Sequence, residues 1–304
     1  MTTAIGVIDF SDRVAIVTGA ASGIGRAIAA ALAARGARVL VNDVQEAQAT
    51  AAEIRAAGGV AVGDETAVGD FAAGRRIVDH AMQAFGRLDL LVNCAGTSAP
   101  GAFSDIAEDD VLRVLQVNLL GPYALTHAAW PILRKQRYGR ILNIASNAAL
   151  GMGRSAAYAA SKGGLISLTK DNAREGRELD IKVNAMLPVA STAMTARIPP
   201  GPFRDWIDQG FSPALIAAPA LFLLSEAVQA SGEVFSCGGG RISRTAWFNT
   251  HGWFDAQATP EAIAGHYDEF MNPDAARLVE NQPQELQRYT EWKPWPGPGR
   301  MPNA

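Results

Sequence analysis

Tyr158 and Lys162 stand four apart in Tyr158-Ala159-Ala160-Ser161-Lys162, with Ser146 twelve residues upstream and Asn118 further back. On a helix this spacing puts phenol and ammonium on one face, a turn apart. A free tyrosine titrates near ~10 and is a poor base at neutral pH. A neighbouring ammonium and an oxidised nicotinamide would both favour its phenolate. Tyr158 is then a general base for an alcohol, or an acid for a carbonyl. Ser146 can hydrogen-bond the substrate oxygen and stabilise charge developing there. Lys162 can also hold nicotinamide ribose hydroxyls, and Asn118, in Val117-Asn118-Leu119, can hold a water linking Lys162 to solvent. Each residue alone is ordinary: a lone Tyr/Lys pair at this spacing is usually a surface-helix pair. Their joint placement points to proton transfer coupled to hydride transfer.

A hydride needs an acceptor, and the turn Thr18-Gly19-Ala20-Ala21-Ser22-Gly23-Ile24-Gly25 can hold one. Gly19, Gly23 and Gly25 let backbone approach a pyrophosphate, and the helix opened by Ser22 and Ile24 points its N-terminal N–H groups at it. A Gly-rich turn alone is weak. Here a strand precedes it, a helix follows, and Asp43 stands about twenty residues on at a strand end, as a dinucleotide site requires. A carboxylate there accepts from a ribose 2′-OH and repels a 2′-phosphate, and no Arg or Lys stands at 18–25 or 44–46 to offset it. The expected cofactor is NAD rather than NADP. Asp64, in Gly63-Asp64-Glu65-Thr66, can contact adenine or be a solvated loop acid, and the sequence leaves both open. Asn93-Cys94-Ala95-Gly96 follows an apolar strand, and its small residues let backbone lie against the adenosine half. Asn93, Ala95 and Gly96 therefore join the expected cofactor site, with Tyr158, Lys162 and Pro188, the last at the end of a later strand.

The elements that must position these residues are legible as apolar β-branched runs alternating with helical patterns from residue 14 to about 236. That alternation predicts an α/β, doubly wound parallel sheet with helices on both faces. Strands are expected at 14–17, 39–42, 88–92, 140–145, 181–187 and 234–236, with a helix over 22–35 stopped by Gly36. Each candidate falls at the carboxyl end of a strand, where ligands bind in open α/β sheets. Two domains are expected: 1–240, carrying the site, and a 241–304 helical extension packing on it or on a neighbouring subunit. The extension holds four of the six Trp, and Thr259-Pro260-Glu261 is a helix start. Ile263, Tyr267, Phe270 and Met271 should share a face of that helix, and Trp295-Pro296-Gly297-Pro298-Gly299 reads as a non-helical, mobile end.

Composition narrows the class. Of 304 residues, 48% are hydrophobic and 19% charged, enough apolar material for a continuous core. A net charge of -3 offers no bulk attraction to nucleic acid or an anionic membrane, so neither partner is expected. No stretch is long and apolar enough to span a bilayer. Met1-Thr2-Thr3-Ala4 lacks the regions of a signal peptide, and Pro302-Asn303-Ala304 is no recognisable address. Cys94 and Cys237 are solitary thiols suited to a reducing compartment. The expected location is cytoplasmic. Neither they nor His80, His127, His251 and His266 have metal-ligand spacing, so no metal is expected; the histidines read as structural or surface residues.

The turn 18–25, the Asn93 segment, Asn118, Ser146, Tyr158 and Lys162 resemble, in order, the motifs of the short-chain dehydrogenase/reductase family over roughly positions 10–240. That resemblance implies a seven-stranded doubly wound (Rossmann) sheet and the Asn–Ser–Tyr–Lys roles given above. A narrower one reaches almost to the end. Val41-Asn42-Asp43, Ala129-Trp130, Tyr138-Gly139-Arg140-Ile141, Met194-Thr195, Gly232-Glu233-Val234-Phe235 and the helix from Thr259 are similar to the dehydrogenase part of peroxisomal multifunctional enzyme type 2. The subgroup oxidises (3R)-3-hydroxyacyl-CoA with NAD, and some relatives oxidise 17-beta-hydroxysteroids. The chain departs from the family at Val189-Ala190-Ser191, at Cys94, and in a Ser-to-Tyr interval one residue short. The resemblance also implies a homodimer or homotetramer, paired through helices around 118–133 and 158–174.

The expectation is an NAD-dependent dehydrogenase of a hydrophobic secondary alcohol, a (3R)-hydroxyacyl-CoA thioester first and a hydroxysteroid next, with ketone reduction as the reverse. A dinucleotide-sensing module is the non-enzyme alternative; loss of Tyr158, Lys162 or Ser146 would have favoured it, and all are present. The pocket should combine 147–155 with 189–211, where Met152, Met194, Ile198, Phe203 and Trp206 are apolar and Pro199-Pro200-Gly201-Pro202 can shape a lid. Arg154, Arg197 and Arg204 can meet CoA phosphates there.

Overall fold

The computed structural model describes residues 6–293. The chain divides into two units, Met1–Arg244 and Thr245–Ala304. The first begins with β1 (Val14–Thr18), α1 (Gly23–Ala33), β2 (Arg38–Asn42), α2 (Ala47–Ala56), β3 (Val60–Asp64) and α3 (Phe71–Phe85). It continues through β4 (Leu90–Asn93), α4 (Glu108–Leu115), a π-helical turn Gln116–Leu120, α5 (Gly121–Gln136), β5 (Gly139–Ile144) and α6 (Ala156–Glu175). Last come β6 (Ile181–Val189), α7 (Pro202–Gly210), α8 (Ala214–Leu224), β7 (Val234–Gly238) and β8 (Arg241–Thr245).

The strands lie in the order β3-β2-β1-β4-β5-β6-β7-β8. From β1 the chain winds outward through β2 to β3, then crosses back to β4, so the order reverses between β1 and β4. A crevice opens at that switch point, at the carboxyl ends of the strands. Every residue of β1 is buried. Val14 and Ile16 pack with Ile77, Leu125 and Leu133 of α3 and α5; Ala15 and Val17 pack with Ile28, Leu32 and Ile216 of α1 and α8. A strand covered on both faces needs apolar residues at both parities, which is why the runs are continuous.

The expected helices and strands form, with boundaries shifted by one to two residues. The helix over 22–35 is α1, and the chain leaves it through Gly36 at φ +91. The sheet, however, has eight strands rather than seven. Gly239 and Gly240, at φ +55 and +83, form a two-residue turn that brings the chain straight back beside β7 as β8. Two consecutive left-handed residues match the twist of a hairpin.

In the second unit, β9 (Trp247–Asn249) pairs antiparallel with β10 (Arg277–Val279). The helix expected after Thr259 starts there, with Thr259 Oγ1 accepting from Ala262 N–H at 3.2 Å. It does not run through. It breaks at His266 into α9 (Pro260–Gly265) and α10 (Tyr267–Met271). The His266 ring stacks on Trp253 at 4.2 Å and its Nδ1 donates to Ala262 O at 2.8 Å, taking up a carbonyl at the helix end. Ile263, Tyr267 and Met271 are exposed. α11 (Gln282–Arg288) closes the unit. The expected mobile end at 295–299 lies outside the described residues.

Candidate active site

At the end of β1, Thr18 Oγ1 accepts from Cys94 N–H and Ala95 N–H, both at 3.0 Å, tying β1 to β4 at the switch point. This role of Thr18 had no signal in the sequence. The turn that follows is packed so tightly at two of its positions that only glycine fits there. A Cβ on Gly19 would stand 2.8 Å from Ala95 Cα, and one on Gly25 would stand 2.1 Å from Gly19 O. Gly19 and Gly23 also lie at positive φ, +63 and +51, where side chains are disfavoured. Ser22 caps α1 by backbone position but makes no side-chain cap hydrogen bond, which leaves the first-turn N–H groups to an anion. Ile24 is half-buried against the core behind them.

Beside the turn, Asp43 Oδ2 accepts from Ala21 N–H at 3.0 Å, so its carboxylate is held at the edge of the crevice. Asp64 is not a solvated loop acid. Its carboxylate is buried, with Oδ1 accepting from Asn42 Nδ2 at 2.8 Å and Thr66 N–H at 2.9 Å, and Oδ2 at 2.7 Å from His80 Nδ1. His80 is thus part of the site's frame rather than a bystander. The structure does not bring the Asn93 side chain to the crevice. It is buried, turned into the sheet, and donates to Asn143 Oδ1 at 2.8 Å and Thr126 Oγ1 at 3.3 Å. Ala95 and Gly96 do lie at the opening. A Cβ on Gly96 would stand 3.6 Å from Asn118 Oδ1 and 3.7 Å from Lys162 Nζ. Pro188 does not end its strand, since β6 runs on to Val189. Thr192, four residues later, comes close to the place a Gly23 Cβ would occupy, at 3.4 Å.

The four expected catalytic residues sit on three elements. Ser146 stands two residues beyond β5 and caps a short 3₁₀ turn, its Oγ accepting from Ala148 N–H at 3.1 Å. Tyr158 and Lys162 share a face of α6. Lys162 is buried, donates from Nζ to Ile144 O at 2.7 Å, and lies 5.7 Å from the centre of the Tyr158 ring. Asn118 is fully buried within the π-helical turn, a local widening common at functional sites. Its amide clamps Thr97, accepting from N–H at 2.8 Å and donating to the carbonyl at 2.9 Å, and also donates to Ser161 Oγ at 3.2 Å. The side chain therefore braces the loop after β4 against α6.

Burial sets the electrostatics. It lowers Lys162 to about 8. It raises the Tyr158 phenol above its ordinary value, with the Ser146 hydrogen bond pulling the other way. The Cys94 thiol is pushed up to about 12 by burial, so it stays neutral as a small packing group. Without a bound cation, the phenol is the acid form.

The segment after β6 is latched. Ser191 Oγ donates to Asp208 Oδ1 at 2.5 Å, Arg204 Nε donates to Asp208 Oδ2 at 2.5 Å, and Ser191 N–H donates to Phe211 O at 2.7 Å. Arg204 is committed to that latch and to Ala196 O, unlike Arg197, whose Nη1 reaches Ser98 Oγ at 3.4 Å. The rings of Trp206 and Phe211 meet edge-on at 4.5 Å. Met152, Met194, Phe203 and Trp206 are exposed, from 37% to 64%, so they are not core; Ile198 is half-buried.

This fold and this set of residues define an oxidoreductase, and the chain belongs to the short chain dehydrogenase family, which matches residues 13–201. Its sequence is 35% identical over 283 residues to the peroxisomal hydratase-dehydrogenase-epimerase of Saccharomyces cerevisiae, covering 88% of this chain and 31% of that protein. It is also 37% identical over 179 residues to a (2S)-[(R)-hydroxy(phenyl)methyl]succinyl-CoA dehydrogenase subunit of Thauera aromatica, covering 58% of this chain and 72% of that one. The full-length peroxisomal multifunctional enzyme type 2 of Drosophila melanogaster superposes with a TM-score of 0.79 at 28% identity, covering 92% of this chain and 49% of that one. The chain thus spans about a third of the yeast protein and half of the fly protein.

Proposed function

We propose that the chain oxidises the secondary alcohol of a (3R)-3-hydroxyacyl-CoA to a ketone, with NAD as cofactor. The observation that carries the reading is the convergence of Ser146, Tyr158 and Lys162 beside a glycine cradle edged by Asp43. The cradle fits a dinucleotide: Gly19 and Gly25 leave no room for side chains, and the N–H groups at the start of α1 face outward without a side-chain cap. NAD held there would supply the acceptor for the hydride that leaves the carbinol carbon. Ser146 Oγ holds the substrate oxygen. Tyr158 Oη takes the hydroxyl proton as the C–O bond becomes double. Lys162 keeps positive charge close to the phenolate thus favoured. The exposed apolar side chains of Met152, Met194, Phe203 and Trp206 suit a hydrophobic chain. The Thauera relative's name, a CoA thioester carrying a secondary alcohol, supports the substrate class.

The reading is tested by initial rates of NAD reduction with (3R)- and (3S)-hydroxyacyl-CoA, a 17-beta-hydroxysteroid and CoA-free secondary alcohols. A preference of at least about tenfold in kcat/KM for the (3R) thioester is expected, the size of one well-made discriminating contact. Activity confined to CoA-free alcohols would remove the thioester and leave the hydride chemistry.

Cofactor choice is tested separately. Asp43 carries negative charge where a 2′-phosphate would lie, and Arg26, the first cation after the glycine turn, is paired with Glu53. Asp43→Ala should shift the kcat/KM ratio for NAD over NADP towards NADP by about tenfold to a hundredfold, the worth of a charged hydrogen bond. An unchanged ratio would refute the NAD assignment.

A further inference from the structure

His80 lies on α3, and its Nδ1 is 2.7 Å from Oδ2 of the buried Asp64 carboxylate at the end of β3. An ionised carboxylate only accepts, so Nδ1 carries the proton. From the other side, Asn42 Nδ2 and Thr66 N–H hold Oδ1 at 2.8 and 2.9 Å. The carboxylate is therefore gripped through both oxygens, which fixes its plane. The grip continues to the cofactor turn: Asn42 O accepts from Ala20 N–H at 3.1 Å, and the next residue, Asp43, accepts from Ala21 N–H at 3.0 Å. One hydrogen-bonded path thus joins α3, the ends of β3 and β2, and the glycine turn. In a doubly wound sheet the adenosine half of a dinucleotide lies over these strand ends. The adenine 6-amino group is a donor and needs an acceptor held in place.

We propose that His80 is a positioning residue for adenine recognition, locking the Asp64 carboxylate in the orientation that accepts from the adenine 6-amino group. The inference rests on the reading of the glycine turn and Asp43 as a dinucleotide site. Burial alone would raise Asp64; hydrogen bonds from His80, Thr66 and Asn42 outweigh it and hold the acid below its ordinary value, so it remains an acceptor. The His80 side chain is 39% exposed, so removing it opens no core cavity.

The test compares KM and kcat for NAD and for nicotinamide hypoxanthine dinucleotide, in which a carbonyl replaces the 6-amino group. The intact chain should favour NAD by about tenfold in KM, the worth of one charge-assisted hydrogen bond. His80→Ala should bring the two within about twofold, leaving kcat and the KM for the alcohol unchanged. His80→Asn, whose amide nitrogen can donate from near the Nδ1 position, should restore most of the preference. Full discrimination in His80→Ala, no discrimination in the intact chain, or a fall in kcat with both cofactors would each overturn the proposal. Turnover with NADP but not NAD would overturn the NAD assignment alone, and the His80 comparison would then be read on NADP and its hypoxanthine counterpart.

Discussion

Tyr158→Phe should lower kcat for alcohol oxidation by about a thousandfold or more, within the range lost when a general base is removed. Dinucleotide affinity should stay within about twofold. The ring and its contact with Lys162 remain, so the change deletes only the oxygen that receives the proton. The separation of kcat from binding is the diagnostic. Stopped-flow rates of hydride transfer and a titration of dinucleotide binding, monitored by tryptophan fluorescence, measure the two independently. Retention of more than a tenth of the rate would remove Tyr158 from the chemistry. In the ligand-free chain the Tyr158 phenol titrates above the ordinary tyrosine value because burial outweighs its hydrogen bond with Ser146. Its ionisation, read as the ultraviolet difference between the chain and Tyr158→Phe, should move down when oxidised dinucleotide binds, since added positive charge favours phenolate.

Lys162→Met should abolish turnover and also change how stability depends on pH. Folded Lys162 titrates at about 8. In the unfolded chain a lysine titrates near ~10.4. Because the folded value is the lower one, the unfolded chain binds this proton more readily. Below pH 8 the folded chain carries the full cost of a buried ammonium. That cost disappears as pH rises from about 8 to 10.4, so the intact chain gains stability relative to Lys162→Met across this window. The gain is about 3 kcal/mol at ~1.4 kcal/mol per pH unit. The variant also leaves Ile144 O without the Nζ donor, worth about 1 kcal/mol. That loss does not vary with pH, so it offsets the curves without altering their divergence. Urea denaturation of both proteins at pH 7 to 10 measures the divergence; parallel curves would show that Lys162 is not strained by burial.

Much of the active site is local in sequence. The four-residue spacing of Tyr158 and Lys162, the glycines of the turn and Asp43 at the end of an apolar run each follow from one helix period or one strand–turn–helix unit. β8 was not legible because Arg241-Ile242-Ser243-Arg244-Thr245 lacks an apolar run; two left-handed glycines and the open edge of β7 place it. The break at His266 was hidden because Ile263, Tyr267, Phe270 and Met271 keep helical spacing, while the stacking of His266 on Trp253 comes from outside the helix.

The sequence by itself determined which chemistry the chain can carry: side-chain type and short-range spacing decide what a phenol, an ammonium and a glycine turn can do together. Tertiary structure alone decided which polar groups face the crevice and which hold it. Asn93 is taken into the sheet by Asn143, fifty residues away; Asn118 is spent on Thr97; Asp64 is gripped by Asn42 and His80. These pairings join different strands and helices, and a buried polar group must find its partner wherever sheet order brings one within reach.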